Sequence, residues 1–290
     1  MTNGSALDVI VPSDFEVRIW AESSGAEDTQ FAYWNDEEIE SAKAWNVAEG
    51  KGLANQERHV QQSGLLDLLR LAVRTACDGG AGLGRAGADL ACGTAWAVPH
   101  LLEDSGIERI FCVEYSRHRL LKLAPVVLRH YDIPRDRVVL CLGSFYDLRI
   151  DSGALDFVLL AEALHHAGDP LRLLAEVRRV LSRDGVVIVI GEHIVPSLPR
   201  LYGAHAARWL VSRTVPAAIQ RKLRGKTINR PRALWCGVRE LLAPNPITGD
   251  HYYRDSDYER LFREANFRST PVRIPGIPMQ GFVLRPEAVP

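Results

Sequence analysis

The sequence predicts an α/β protein built on a doubly wound, mostly parallel sheet. Three observations predict it. First, short apolar runs at 87–91, 109–114, 137–142, 155–161 and 186–190 alternate with helical stretches. Second, these runs are apolar throughout rather than at every second residue, as strands covered on both faces are. Third, the run that ends at Asp89 enters a small-residue turn at the start of a helix, and Glu114 closes the next run 21 residues after Gly93. A strand, a tight turn, a helix and a second strand ending in an acid form a nucleoside-binding arrangement. The turn lets a ligand approach the backbone, and the acid accepts hydrogen bonds from ribose hydroxyls.

Residues 1–30 have mixed polarity without a firm period and read as irregular chain or short strands. Asn35 or Asp36 can cap a helix whose first turn is acidic, and Gly50 and Gly52 break it. A second helix spans about 57–77, with Leu65, Leu66, Leu69, Ala72 and Val73 as its apolar stripe. The first 80 residues are thus expected to form a helical cap. The glycine-rich turn at 78–84 follows no strand and is not a phosphate loop. Strand 87–91 then leads to a helix at about 95–105, with Pro99 in its first turn, and strand 109–114 to a helix at about 117–131. Strands 137–142 and 155–161 follow. Asp169 and Pro170 supply an N-cap and a first-turn proline for a helix carrying Leu173, Leu174, Val177, Val180 and Leu181, which Asp184 and Gly185 end. Residues 194–253, rich in Arg, Pro and aromatics, interrupt the pattern after the fifth strand. Ser256 and Glu259 form a capping box for a last helix. Runs near 271–275 and 280–285 make a closing antiparallel pair. The expected domains are a cap at 1–80, a core at 81–193 and 254–290, and a lid-like insertion at 194–253.

A hydrophobic fraction of 47% and a charged fraction of 24% over 290 residues suit a globular chain with a substantial core. No apolar run approaches the roughly 20 residues that span a bilayer. The first residues lack a signal peptide's basic and apolar regions, so a cytoplasmic location is expected. Five cysteines, an odd number, read as free thiols in a reducing compartment. No Cys-x-x-Cys and no tight His/Cys cluster indicates a structural metal. The net charge of −1 hides an asymmetry: residues 1–50 carry 11 acids and 2 bases, and residues 207–239 carry nine Arg or Lys and no acid. These are either two solvated faces, two segments that attract each other as a lid, or a basic surface for an anionic partner.

The string Asp-Leu-Ala-Cys-Gly-Thr-Ala at 89–95 resembles the Asp-x-Gly-x-Gly-x-Gly loop of class I S-adenosylmethionine (SAM) dependent methyltransferases. Gly93 is kept, and Ala91 and Ala95 stand where that family usually has glycine. Glu114, the Gly-Ser-Phe at 143–145, the stretch 155–166 with Asp169 and Pro170, and the joint at 177–187 extend the resemblance. It is closest to the type-11, ubiquinone/menaquinone-methylase-like branch and covers about half of the chain. It implies a Rossmann-like, seven-stranded, mostly parallel sheet and SAM as cofactor. By the resemblance, Asp89, Ala91 and Gly93 line the methionine and ribose, Glu114 binds the ribose hydroxyls, and Tyr115 and Phe145 lie at the adenine. Ser144 stands where the family often has an acid for the adenine amino group. Cys92 and Ala161 complete the expected cofactor set. No Gly-x-Gly-x-x-Gly lies between a strand and a helix, which opposes a nicotinamide oxidoreductase.

Methyl transfer from SAM requires positioning and, for a hydroxyl or acidic carbon, a base with pKa near 7. His166 and His165 follow the fourth strand of the core, with Glu162 on the same rim, and Glu192 and His193 end the fifth. His166, His165, Glu162 and His193 are the catalytic candidates, with no metal expected. No Asn-Pro-Pro-Tyr-like string of the amino and nucleobase methylases follows the fourth strand, which disfavours nucleic acid. The tryptophans fall in the cap (Trp20, Trp34, Trp45), in the insertion (Trp209, Trp235) and beside the loop (Trp96), a distribution that suits an aromatic-lined acceptor site. The expected activity is methyl transfer to oxygen or carbon of a small organic molecule, with a homodimer left open. Its rivals are an RNA or protein methyltransferase using 207–239 and a non-methylating SAM-fold enzyme or binding protein.

Overall fold

A computed structural model describes residues 14–20, 29–41, 52–77, 82–194, 249–251 and 253–287. Trp45, Trp209, Trp235, the basic run at 207–239 and nearly all of the expected insertion lie outside them. The sheet has eight strands rather than the expected seven. They are β1 (Glu16–Ile19), β2 (Ala86–Leu90), β3 (Arg109–Glu114), β4 (Val138–Leu142), β5 (Leu155–Ala161), β6 (Leu181–His193), β7 (Phe267–Val272) and β8 (Met279–Pro286), in the spatial order β1-β4-β3-β2-β5-β6-β8-β7. The six strands from β1 to β6 pair in parallel, and β8 and β7 close the sheet antiparallel.

The additional strand, β1, covers the outer edge of β4, where Glu16 pairs with Val139 and Ile19 with Leu142. Phe15 and Trp20 at its two ends are buried, and Trp20 N–H continues the ladder to the Leu142 carbonyl at 2.9 Å. Four residues are too few for a period to show, yet they protect an otherwise open edge.

The fully apolar strands send alternate residues to opposite faces. From β5, Phe157, Leu159 and Ala161 join one core cluster while Leu155, Val158 and Leu160 join the other, and β6 divides its residues likewise. The first face is covered by α3 (Leu53–Ser63), α4 (Leu65–Ala76), α5 (Val98–Leu101) and α6 (Ala124–His130), the second by α7 (Pro170–Val180) and α8 (Asp255–Glu264). Two short helices, α1 (Thr29–Asn35) and α2 (Glu37–Ser41), precede these, and the Asp36 carboxylate caps α2 by accepting the Glu38 and Ile39 N–H. Among the described residues no helix is long and apolar enough to cross a membrane.

Several boundaries differ from expectation for local reasons. The helix expected over 57–77 is two helices, because Gly64 takes φ 80° and any side chain there would overlap Ile277. The helix expected at 95–105 shrinks to α5, since residues 91–97 are spent on a left-handed turn. Helix α7 starts as expected, with the Asp169 carboxylate accepting the Arg172 N–H, but ends at Val180 because Leu181 already pairs with Leu155. Helix α8 is capped two residues earlier than Ser256 and Glu259 suggest: the Asp257 carboxylate accepts the Arg254 N–H at 3.0 Å and pairs with its guanidinium. The acidic N-terminal segment meets bases of the core, Glu37 with Lys122 and Asp14 with Arg129 and Arg135. Exposed pairs of this kind contribute little each.

Candidate active site

The chain leaves β2 for one side of the sheet and returns to β5 on the other, so a crevice opens between the carboxyl ends of these two strands, where open α/β sheets bind ligands. Two groups of residues meet there, one on each side.

On the β2 side, Ala91, Gly93 and Ala95 have φ of 56°, 56° and 58°. Three alternate residues thus hold the left-handed conformation that favours glycine, two of them as alanines. The turn is fastened to β3. Cys92 N–H donates to the Val113 carbonyl at 3.1 Å, and Gly93 N–H to the Glu114 carboxylate at 2.9 Å. The Tyr115 and Ser116 N–H groups, at 2.9 and 2.8 Å, donate to the other Glu114 oxygen. Glu114 is 4% exposed, so its charge is held by three backbone donors at the end of β3. Asp89 is 1% exposed. Burial, with the neighbouring Glu114 charge, pushes its carboxyl up to about 8, and its Oδ1 has no hydrogen-bond partner. It is therefore protonated at neutral pH. Thr94 bonds to the Gln56 side chain of α3. Beyond β4, the Ser144 hydroxyl accepts the Tyr146 N–H, and the Phe145 ring stands edge-on to Tyr146 at 4.7 Å. Ala161 is buried at the end of β5.

On the β5 side, Glu162 takes φ 53°, and its side chain lies where Gly191 has none. Burial raises its carboxyl above the usual range, against the opposing pull of His165. His165 and His166 form a short 3₁₀ turn with rings 4.2 Å apart. Glu192, wholly buried near the end of β6, accepts from Leu164 N–H at 3.2 Å, from the Tyr258 hydroxyl at 2.6 Å and pairs with His165 Nδ1 at 3.1 Å. Burial opposes charge on both His165 and Glu192, but their mutual attraction prevails, raising the first pKa and lowering the second. The pair is a buried ion pair behind the site. His166 behaves oppositely: burial and the His165 charge hold it below the usual histidine range despite Asp250, whose oxygen lies 2.8 Å from its Nδ1. His193 is exposed, its ring 6.1 Å from that of His165.

The expected candidates thus gather at one crevice, with Glu192 matched to His165. Several further residues neighbour the site, most of them without a signal in the sequence. Trp34 of α1 stands edge-on to His166 at 5.1 Å, and the Arg119 guanidinium lies over it at 4.7 Å. Tyr258 read as part of a capping box, and Asp250 as part of an insertion. Of these only Trp34 carried a signal, as one of the tryptophans outside the core.

Residues 88–189, from β2 through most of β6, match the family model of the methyltransferase domain. No curated protein matches the chain. Among solved structures, a SAM-dependent methyltransferase from Leishmania major is similar at 12% identity and TM-score 0.53, covering 88% of this chain and 81% of its own. One from Aquifex aeolicus is similar at 14% and 0.51, covering 79% and 96%. The mitomycin 7-O-methyltransferase MmcR is similar at 16% and 0.51, covering 85% and 61%.

Proposed function

We propose that this chain, a class I SAM-dependent methyltransferase, transfers a methyl group to an oxygen or carbon atom of a small organic acceptor. SAM, when bound, supplies the activated methyl, and the chain has to hold and orient the partners and receive a proton. Asp89, Ala91, Cys92 and Gly93 would border the methionine end and ribose, with Ala161 beside that turn at the end of β5, and Tyr115, Ser144 and Phe145 would lie around the adenine. The partnerless Oδ1 of Asp89 fits such a ligand, since a buried polar atom without a partner costs about 1–3 kcal/mol. Glu114 fits a ribose hydroxyl: a carboxylate has about four acceptor positions, and backbone donors use three.

The observation that carries the acceptor side is the histidine corner at the end of β5, with Trp34 edge-on to His166. An aromatic wall beside a neutral imidazole suits an organic molecule with an ionisable hydroxyl or carbon acid. In this reading His166 meets the acceptor and takes its proton. His165 and Glu192 support it from behind, and Glu162 and His193 lie at the rim. The test is kcat for His166→Ala with a turned-over acceptor. A rate lower by about 10²–10⁴-fold is expected, with SAM affinity by calorimetry unchanged, because the cofactor is held by β2 and β3. The wild-type rate should rise with pH below the ordinary histidine value of 6.5, since burial lowers this imidazole. An unchanged rate and pH profile in both His166→Ala and His165→Ala would remove the corner from the mechanism and leave His193 as the candidate.

A further inference from the structure

We propose that His165, His166 and Asp250 bind a divalent first-row transition-metal ion. One ligand atom from each lies within 4.8 Å of the other two. Bonds of about 2.0–2.2 Å place ligand atoms roughly 3–3.5 Å apart, so small side-chain rotations close the set. The three come from two parts of the chain that the backbone fixes to each other. His251 N–H donates to the His165 carbonyl at 2.7 Å, and Ile194 bridges to Tyr253. Asp250 is therefore held against the 3₁₀ turn.

A second observation points the same way. His165 Nδ1 pairs with the buried Glu192, itself fixed by the Tyr258 hydroxyl and the Leu164 N–H. A carboxylate on one ring nitrogen orients the other nitrogen outward and raises its basicity, as behind most metal-bound histidines. The ring nitrogen left for an ion on His165 is then Nε2. Two imidazoles and one carboxylate select Zn²⁺, Co²⁺ or Fe²⁺ over Mg²⁺ or Ca²⁺, which prefer all-oxygen sets. Three protein ligands leave positions open for an oxygen of the acceptor. That use of the ion rests on the methyl transfer proposed above; with the ion bound the two histidines act as its ligands, and the free-base role of His166 belongs to the ion-free protein.

The test is titration of the chelator-treated full chain with Co²⁺, read by visible absorption, with Zn²⁺ in competition. One Co²⁺ per chain with Kd below about 100 µM is expected. Asp250→Asn and His166→Gln should each weaken it at least tenfold, and Glu192→Gln by about 10–100-fold through His165. His100→Gln and His130→Gln should leave it unchanged. Asp250 and His166 are partly exposed, so their variants keep the fold, which circular dichroism verifies. No binding at 100 µM, or binding indifferent to both Asp250→Asn and His166→Gln, overturns the ion site. Formation of S-adenosylhomocysteine by the chelated protein with no Co²⁺ binding would sink the ion and keep the methyl transfer. Co²⁺ binding without any turnover on small acceptors would do the reverse.

Discussion

Ala91 and Ala95 hold a backbone conformation that costs an L-residue about 1–2 kcal/mol, at positions where the related loops carry glycine. They keep it because the turn is fastened at Cys92 and Gly93 to the end of β3. Ala91→Gly should therefore stabilise the protein by up to about 1 kcal/mol, the strain relief less the entropy glycine adds to the unfolded chain. Ala95→Gly should gain less, because its methyl is wholly buried in the core and its loss forfeits packing. Denaturant midpoints for the two variants decide it: a fall in stability for Ala91→Gly would mean that the turn is not strained. The same residues mark what the sequence could reveal. Gly93 and Glu114 were legible because a fixed spacing links them. The conformations at 91 and 95 were not, since alanine ordinarily signals a right-handed helix. Tyr258 meets Glu192 across 66 residues, and no spacing rule connects them.

Among elements, the central strands were legible, while the edge strand β1 and the breaks between helices were not. A mostly apolar run has one buried solution, so β3 and β5 match their expected limits, whereas the apolar stripe of the stretch 57–77 lies wholly in α4 and only Gly64 itself marks the turn from α3. That turn is set by tertiary contact. Gly64 has φ 80°, its N–H donates to the Gln61 carbonyl at 3.1 Å, and a methyl there would overlap Ile277 in the loop before β8. Gly153 is the natural control, with φ 71° and nothing within 4 Å of an added Cβ. Both alanine variants suffer the backbone penalty of about 1 kcal/mol, and only Gly64→Ala adds a steric one of roughly 1–3 kcal/mol. Urea unfolding should rank Gly64→Ala clearly below Gly153→Ala, and equal losses would show that the Ile277 contact does not fix the junction. Since α4 packs on the sheet face beside β6, a shift of this junction would also disturb the Glu162 side chain, which lies against Gly191, next to Leu65.

For the molecule as a whole, two buried titrating sets flank one crevice, and both make stability depend on pH. Asp89 has a folded pKa of about 8 against 3.8 unfolded, raised by burial and then by Glu114. A carboxyl with a raised folded pKa binds more protons folded than unfolded. It therefore withdraws stability as pH climbs from about 4, with the loss complete above about 8. His165 has a raised pKa because Glu192 outweighs its burial, so its stabilisation is full below 6.5 and is lost as pH rises through the raised value. Glu192, lowered, stabilises above its unfolded 4.5 and loses this only as pH falls through its folded value. The sum is a maximum on the mildly acidic side and a decline toward pH 9. Asp89→Asn separates the contributions: it keeps the shape, removes the proton and leaves the His165–Glu192 pair. Thermal midpoints at pH 6, 7.5 and 9 should fall in the wild type and fall less in Asp89→Asn. Parallel declines in both proteins would mean that Asp89 is ionised in the folded state, in which case its environment must hold a donor to the oxygen that has none here.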